Sequence, residues 1–217
     1  SFKKVGADQI WKTIVKNLVK HGGQVFVKAE VQKIVVEKNK VQGVLIEDQF
    51  IPCKSVISNV GADNTFNHLL SEKERIKSKF SLNNIEPSNG HMCLYVGLDK
   101  SDEDLNLPKN NIWYFDNQDL DGNVDGLTLN SAAENFAYIS FPSSKDPNWQ
   151  TKNPGTATIQ ALTLGRYHWF EKYADTEWMK RGEEYERAKE EFKDSMLKTI
   201  YALCPQIEGH VYYYYYR

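Results

Sequence analysis

The sequence predicts an α/β protein of the α+β kind, with a β-meander part followed by a mixed sheet covered by helices. Two observations carry this. Residues 22–61 hold four short β-type runs in succession, at 24–28, 30–37, 41–47 and 50–59, separated by only a few polar residues. Past residue 62 the pattern changes, and helical stretches begin to alternate with longer apolar runs.

Ile10, Trp11, Ile14, Leu18 and Val19 recur at helical spacing, with Lys12, Lys16, Asn17 and Lys20 between them, so residues 7–21 read as an amphipathic helix. Gly22 and Gly23 then stop it, because glycine takes the left-handed conformation without a Cβ penalty. In the runs that follow, Val25, Val27, Val31, Ile34, Val36, Val44, Ile46 and Ile57 supply β-branched bulk. Lys38-Asn39-Lys40 and Glu47-Asp48-Gln49 interrupt them as turns.

After Gly61, Phe66, Leu69 and Leu70 form an apolar helical face, and Ser71 with Glu74 opens a second short helix like a capping box. Residues 82–89, with Pro87 and several asparagines, read as loop. The near-continuous apolar run 90–98 predicts a strand buried on both faces. Further strands are expected at 112–115, 137–141 and 157–164, the last two joined by a proline-containing loop. The longest helix is expected over 185–203, with Phe192, Met196, Ile200 and Leu203 on one face and Pro205 beyond its end. Val211 starts another strand, and the five tyrosines that follow do not alternate and carry no functional reading.

A chain of 217 residues can bury a sizeable core. Its net charge of −2 supplies no basic field, so nucleic acid is not an expected partner. No apolar run reaches the roughly 18 residues needed to span a bilayer, and residues 1–5 lack the apolar core of a signal peptide. Cys53, Cys93 and Cys204 are odd in number and far apart, which speaks against a disulfide framework, and no metal-site spacing is present.

The order helix, HGG, VxxIxVE-type strand, GVxxED hairpin and VISNxG strand resembles the second segment of the FAD domain in the phytoene desaturase and amine oxidase superfamily. Further on, the chain resembles more closely the retinol saturase and carotenoid isomerase family. That likeness lies in Asn64-Thr65-Phe66-Asn67-His68-Leu69-Leu70, Phe141-Pro142-Ser143-Ser144-Lys145-Asp146-Pro147-Asn148-Trp149, Trp169-Phe170-Glu171, Arg181-Gly182-Glu183-Glu184-Tyr185 and Cys204-Pro205-Gln206-Ile207-Glu208-Gly209. The resemblance implies that 1–62 is part of an FAD-binding domain and that 63–217 is a substrate-binding domain. It implies an FAD-dependent oxidoreductase that saturates or isomerises a C=C bond of a retinoid or carotenoid-like polyene, with NAD or NADP as a possible reductant. Association of the whole protein with the endoplasmic reticulum membrane is also implied, with this segment itself soluble. The alternative is a catalytically inactive domain that binds an apolar ligand or a partner protein.

Within the family, the position matching Val31 contacts the FAD adenine through its backbone, and the strand ending at Asn59 and Gly61 returns toward the cofactor. These three are the cofactor-binding candidates, although Val31 reads equally as an ordinary strand residue. The chain departs from the family at Lys3-Lys4-Val5-Gly6, which keeps one glycine of a Pro-x-Gly-Gly approach. It also contains no GxGxxG, the strand-to-helix turn that holds a pyrophosphate. Residues 1–217 are therefore expected to be an internal fragment and to lose FAD on gel filtration. A flavin band retained near ~450 nm would overturn this, since oxidised flavin absorbs there.

No catalytic residue can be named. His168, among Tyr167, Trp169 and Phe170, is a candidate proton donor beside an isoprenoid, while such clusters are more often core. The basic content of the 185–203 helix, with Trp169, Phe170 and Trp178 upstream, suits a membrane interface, although its many glutamates favour a helix covering a sheet. Met92, Leu94, Val96, Trp113, Phe115, Tyr138 and Phe141 are expected along the sheet that walls the substrate cavity.

Overall fold

A computed structural model describes residues 8–82, 88–177 and 179–216. The chain divides into two compact units, Ile10–Pro87 and Ser88–Arg217, the second also taking the chain up to Gln9. That division falls later than the change of pattern near residue 62.

The smaller unit begins with α1 (Asp8–Lys20), which buries none of its residues. Gly22, at φ +83°, ends it. The Gly22 N–H donates to the Val19 carbonyl at 3.0 Å and the Gly23 N–H to the Leu18 carbonyl at 2.9 Å, closing a Schellman motif. β1 (Val31–Glu37), β2 (Lys40–Ile46) and β3 (Gln49–Pro52) form a three-stranded antiparallel sheet in sequential order. Glu37 pairs with Lys40 across Lys38 and Asn39, both at positive φ, as a two-residue type I′ turn requires. Gly43 sits where no side chain fits, since a Cβ would come within 2.2 Å of the Ile51 carbonyl oxygen.

Two of the four expected β runs do not form as read. Residues 24–28 make no strand, and the last run ends at Pro52 instead of continuing to 59. An extended segment becomes a strand only when its backbone groups find a ladder, and the three-stranded sheet offers neither of these a neighbour. Val27 is 82% exposed and Ile57 99%. A π-helical turn, Asn64–Leu69, and α2 (Glu72–Ser78) follow, with Ser71 accepting from the Glu74 N–H as its N-cap. Phe66 stacks on Phe80 with centroids 3.9 Å apart, and Lys77 donates to the Asn39 side-chain carbonyl at 3.0 Å, fastening α2 to the hairpin.

The larger unit contains β4 (Gly90–Leu98), β5 (Ile112–Phe115), α3 (Leu120–Asp125), α4 (Ala132–Asn135), β6 (Phe136–Ser140), α5 (Pro142–Lys145), α6 (Trp149–Lys152), β7 (Ala157–Gly165), α7 (Glu183–Leu203) and β8 (Val211–Tyr216). Its five strands run in the order β5-β6-β7-β4-β8. The α+β class is as expected, but every pairing in this sheet is antiparallel, where a mixed sheet was expected. Antiparallel sheets are commonly covered on one side only, and this one follows that rule. β7 alternates without a break between buried and partly buried positions. β4 is likewise two-sided, with Met92, Leu94 and Val96 buried and Tyr95 exposed, so burial on both faces is corrected to burial on one.

On the buried face, Leu94, Ile139, Phe141 and Ile159 pack into one core with Phe192, Met196 and Ile200 of α7. The α7 face predicted from periodicity is thus the face that is buried, its Leu203 only partly so. Two buried threonines fasten α4 between sheet and helix: Thr163 donates to the Ala132 carbonyl at 2.9 Å and Thr199 to the Ala133 carbonyl at 3.0 Å. No described helix is long and apolar enough to cross a membrane.

Candidate functional site: the open face of the antiparallel sheet

Strand alternation, once the core face is known, assigns the other face. Leu94 pairs with Ala161 and Val96 with Ile159 on the core side, so the intervening pairs, Cys93 with Leu162 and Tyr95 with Gln160, turn away from it. The same register carries across the sheet: Tyr138 stands opposite Leu162, Trp113 opposite Tyr138, Phe115 opposite Phe136, and Tyr215 opposite Tyr95.

These side chains form an aromatic surface. Trp113 meets Tyr138 edge-on with centroids 4.8 Å apart, Phe115 lies 5.2 Å from Phe136, and Tyr95 lies 6.1 Å from Tyr215. Such geometry is the favoured packing of rings. Trp113 is nevertheless 64% exposed and Tyr215 52%. The Cys93 thiol lies among them, its pKa raised by burial and drawn back in part by a hydrogen bond with Tyr95.

Two concavities open on this face, and α5 borders both. One, of about 530 Å³, is lined by Tyr95, Gly97, Pro142, Trp149, Thr158, Gln160 and Tyr213 among others. The second, of about 580 Å³, is lined by Lys109, Asn111, Tyr138, Ser140, Ser144, Lys145 and Pro147. α5 is placed by Ser143: its hydroxyl accepts from the Thr158 N–H at 2.9 Å and donates to the Thr158 carbonyl, standing in for a neighbouring strand where β6 has ended. The following segment is fastened by Trp149 Nε1, which donates to the Thr156 carbonyl at 2.9 Å, and by Gln150 Nε2, which donates to that carbonyl and to Asp102.

Of the residues expected along the cavity wall, Trp113, Phe115 and Tyr138 face the open side. Met92, Leu94, Val96 and Phe141 are core residues. They were grouped together because apolarity alone does not tell which side of a strand is covered. Tyr95, Gln160, Tyr213 and Tyr215 were missed, and for Tyr95 and Gln160 the alternation within β4 and β7 was the available signal.

Val31 begins β1, which is an edge strand and leaves one side of its backbone without a strand partner among the described residues. A free strand edge of this kind offers backbone donors and acceptors to a ligand. Asn59 is exposed in the extended stretch after β3, and Gly61, at φ +94°, accepts through its carbonyl from the Thr65 N–H and hydroxyl. No hydrogen bond among the described residues joins Val31 to either. The Lys3-Lys4-Val5-Gly6 turn and Trp178 lie outside the described residues. His168 is exposed, edge-on to Trp169 at 6.0 Å, while Trp169 and Phe170 pack against the core. No group of three or more His, Cys, Asp or Glu side chains converges among the described residues.

No family profile matches the chain. It is 31% identical over 222 residues to the all-trans-retinol 13,14-reductase of Macaca fascicularis, which spans 97% of this chain and 36% of that protein. It is likewise 31% identical over 97% of its length to the all-trans-retinol 13,14-reductase of Homo sapiens, of which it spans 36%. Among these relatives, one from Danio rerio is named an inactive all-trans-retinol 13,14-reductase and is 29% identical over 95% of this chain and 36% of its own length. The chain thus spans about a third of the length of the curated relatives it matches. In fold it is similar to an oxidoreductase from Methanosarcina mazei, with a TM-score of 0.59 and 14% identity over 97% of this chain and 42% of that one. The Phe141-to-Trp149 segment that carries part of the family likeness is the one that borders both concavities.

Proposed function

We propose that this chain forms the substrate-side portion, and one edge of the FAD domain, of an oxidoreductase that reduces or isomerises a C=C bond in a retinoid or carotenoid-like polyene. The observation that carries this reading is the aromatic open face of the sheet, backed on its other side by a closed core. A conjugated chain laid on such a face gains ring contacts and loses water, while α7 behind the sheet holds the aromatic residues in place. Homology to proteins named all-trans-retinol 13,14-reductases supports the polyene class.

In this reading the FAD adenine would lie at the free edge of β1 beside Val31, and the bound group would supply the hydride that adds to the double bond. Reduced nicotinamide as the source of electrons, and a membrane as the source of the substrate, belong to the same proposal. A second reading, a domain that binds the polyene without turning it over, is favoured by the relative named inactive. Both readings share the ligand face.

The test is a titration of the 217-residue chain with all-trans-retinol, followed by quenching of protein fluorescence. Trp113→Phe keeps an aromatic surface and should bind retinol nearly as the parent does. Trp113→Ala should weaken binding about tenfold, the loss of one large exposed ring contact. Retinol that fails to bind, or binds Trp113→Ala as tightly as the parent, sinks the assignment of this face.

A further inference from the structure

The cavity of about 580 Å³ beside Tyr138 differs in chemistry from the rest of the open face. Two lysines, Lys109 and Lys145, line it, and neither forms an ion pair with a carboxylate among the described residues. The Lys145 ammonium is partly buried and donates only to neutral acceptors, Ser140 Oγ at 3.0 Å and the Asn111 side-chain carbonyl. Its neighbour Asp146 accepts from the Asn148 N–H at 3.0 Å and makes no ion pair with it among the described residues. Ser144, which also lines the cavity, is 8% exposed, and its hydroxyl is buried with no hydrogen-bond partner among the described residues.

A partly buried cation without a counter-charge carries a desolvation cost, and burial indeed lowers the Lys145 pKa. An unpartnered buried hydroxyl adds to that cost. Both deficits are relieved by one kind of occupant, an anion that accepts hydrogen bonds. Tyr138 belongs at once to this cavity and, through Trp113, to the aromatic face.

We infer that the cavity is the head-group subsite of the ligand face and takes the carboxylate of an apolar-tailed molecule, with Lys145 as its charge partner and the tail laid over Tyr138 and Trp113. This rests on the polyene-binding reading and adds to it a preference for a carboxylate over a neutral head group. The carboxylate accepts from Lys145, with Lys109 at the rim and the Ser144 hydroxyl as a further donor. Lys145 is a binding residue here and takes no part in any bond rearrangement.

The probes are all-trans-retinoate and methyl all-trans-retinoate, which share one tail and differ in charge at the head. The parent chain should bind the acid about tenfold more tightly than the ester, the contribution expected of one charge-assisted hydrogen bond. Lys145→Gln should abolish that preference and leave ester affinity within about threefold, and Lys145→Arg should keep it, because a guanidinium restores the charge. Circular dichroism of each variant establishes that it is folded. If acid and ester bind equally to the parent, or if Lys145→Gln lowers both alike, the subsite is overturned while the aromatic face stands. If neither probe binds, the polyene-binding reading fails and the subsite falls with it.

Discussion

The two units of the chain solve the same physical problem with unequal success. In Ser88–Arg217 a two-sided sheet meets a long amphipathic helix, and Leu94, Ile139, Ile159, Met196 and Ile200 are removed almost entirely from water. In Ile10–Pro87 apolar residues make up a similar share of the sequence, yet Ile34 is the only large one buried among those described. α1 leaves Ile10 66%, Trp11 55% and Ile14 59% exposed, an apolar stripe along one helix face. Amphipathic pattern declares that a face is to be covered and says nothing about what covers it. The larger unit thus covers its own apolar residues, whereas much of the smaller unit's apolar surface stays exposed.

The largest expected effect that would break this comparison lies in the core. Met196→Ala removes a side chain that is 0% exposed and should cost about 3 kcal/mol in denaturant unfolding monitored by circular dichroism, from lost transfer energy and the cavity left behind. Ile14→Ala, the matched change on α1, should move the same transition by less than about 0.5 kcal/mol. Equal effects would mean that α1 is covered in solution.

A smaller effect sharpens the account of the last strand. Tyr216 donates to Glu190 of α7, and this, with burial, pushes its pKa up to about 12, against an ordinary value of 10.0. Glu190 is itself held below its ordinary value, first by Lys193 and then by Tyr216. Raising the folded-state pKa favours the protonated phenol, so its contribution is fully present below about pH 10 and is lost as the pH rises toward about 12. Tyr216→Phe should therefore lower Tm slightly at neutral pH and show a shallower alkaline fall between those limits. A variant whose alkaline profile overlays the parent's would remove the role assigned to that contact.

Much of the fold was legible in the sequence because its signals were local. Gly22 at the end of α1, the Lys38–Asn39 turn, Ser71 as an N-cap and the Phe192, Met196, Ile200 stripe each follow from one residue's conformational freedom or one helical period. The runs at 24–28 and 50–59 were misjudged because strand formation is a property of pairs, and no single segment encodes its partner. The site was half legible for the same reason. Apolar and aromatic residues along β4, β5 and β6 marked a ligand wall, but which of them faced outward depended on α7, far along the chain. The tyrosine run had no periodicity to read, yet β8 sorts it: Tyr214 and Tyr216 stack on each other beneath Lys193 and Lys189, while Tyr215 joins the open face.

The Ser143 hydroxyl, which takes the place of a strand beside Thr158, has a consequence for how binding space arises in a sheet protein. β6 stops pairing at Ser140 while β7 continues to Ala157, so the two neighbours are of unequal length and the ladder frays on one side. Had β6 run on, its residues would have filled the hollow now bordered by Pro142 and Lys145. The concavities thus originate in a shortage of backbone partners that one side chain makes tolerable. Relatives could enlarge or close such a hollow by shifting a strand end by a residue or two, leaving the core beneath untouched.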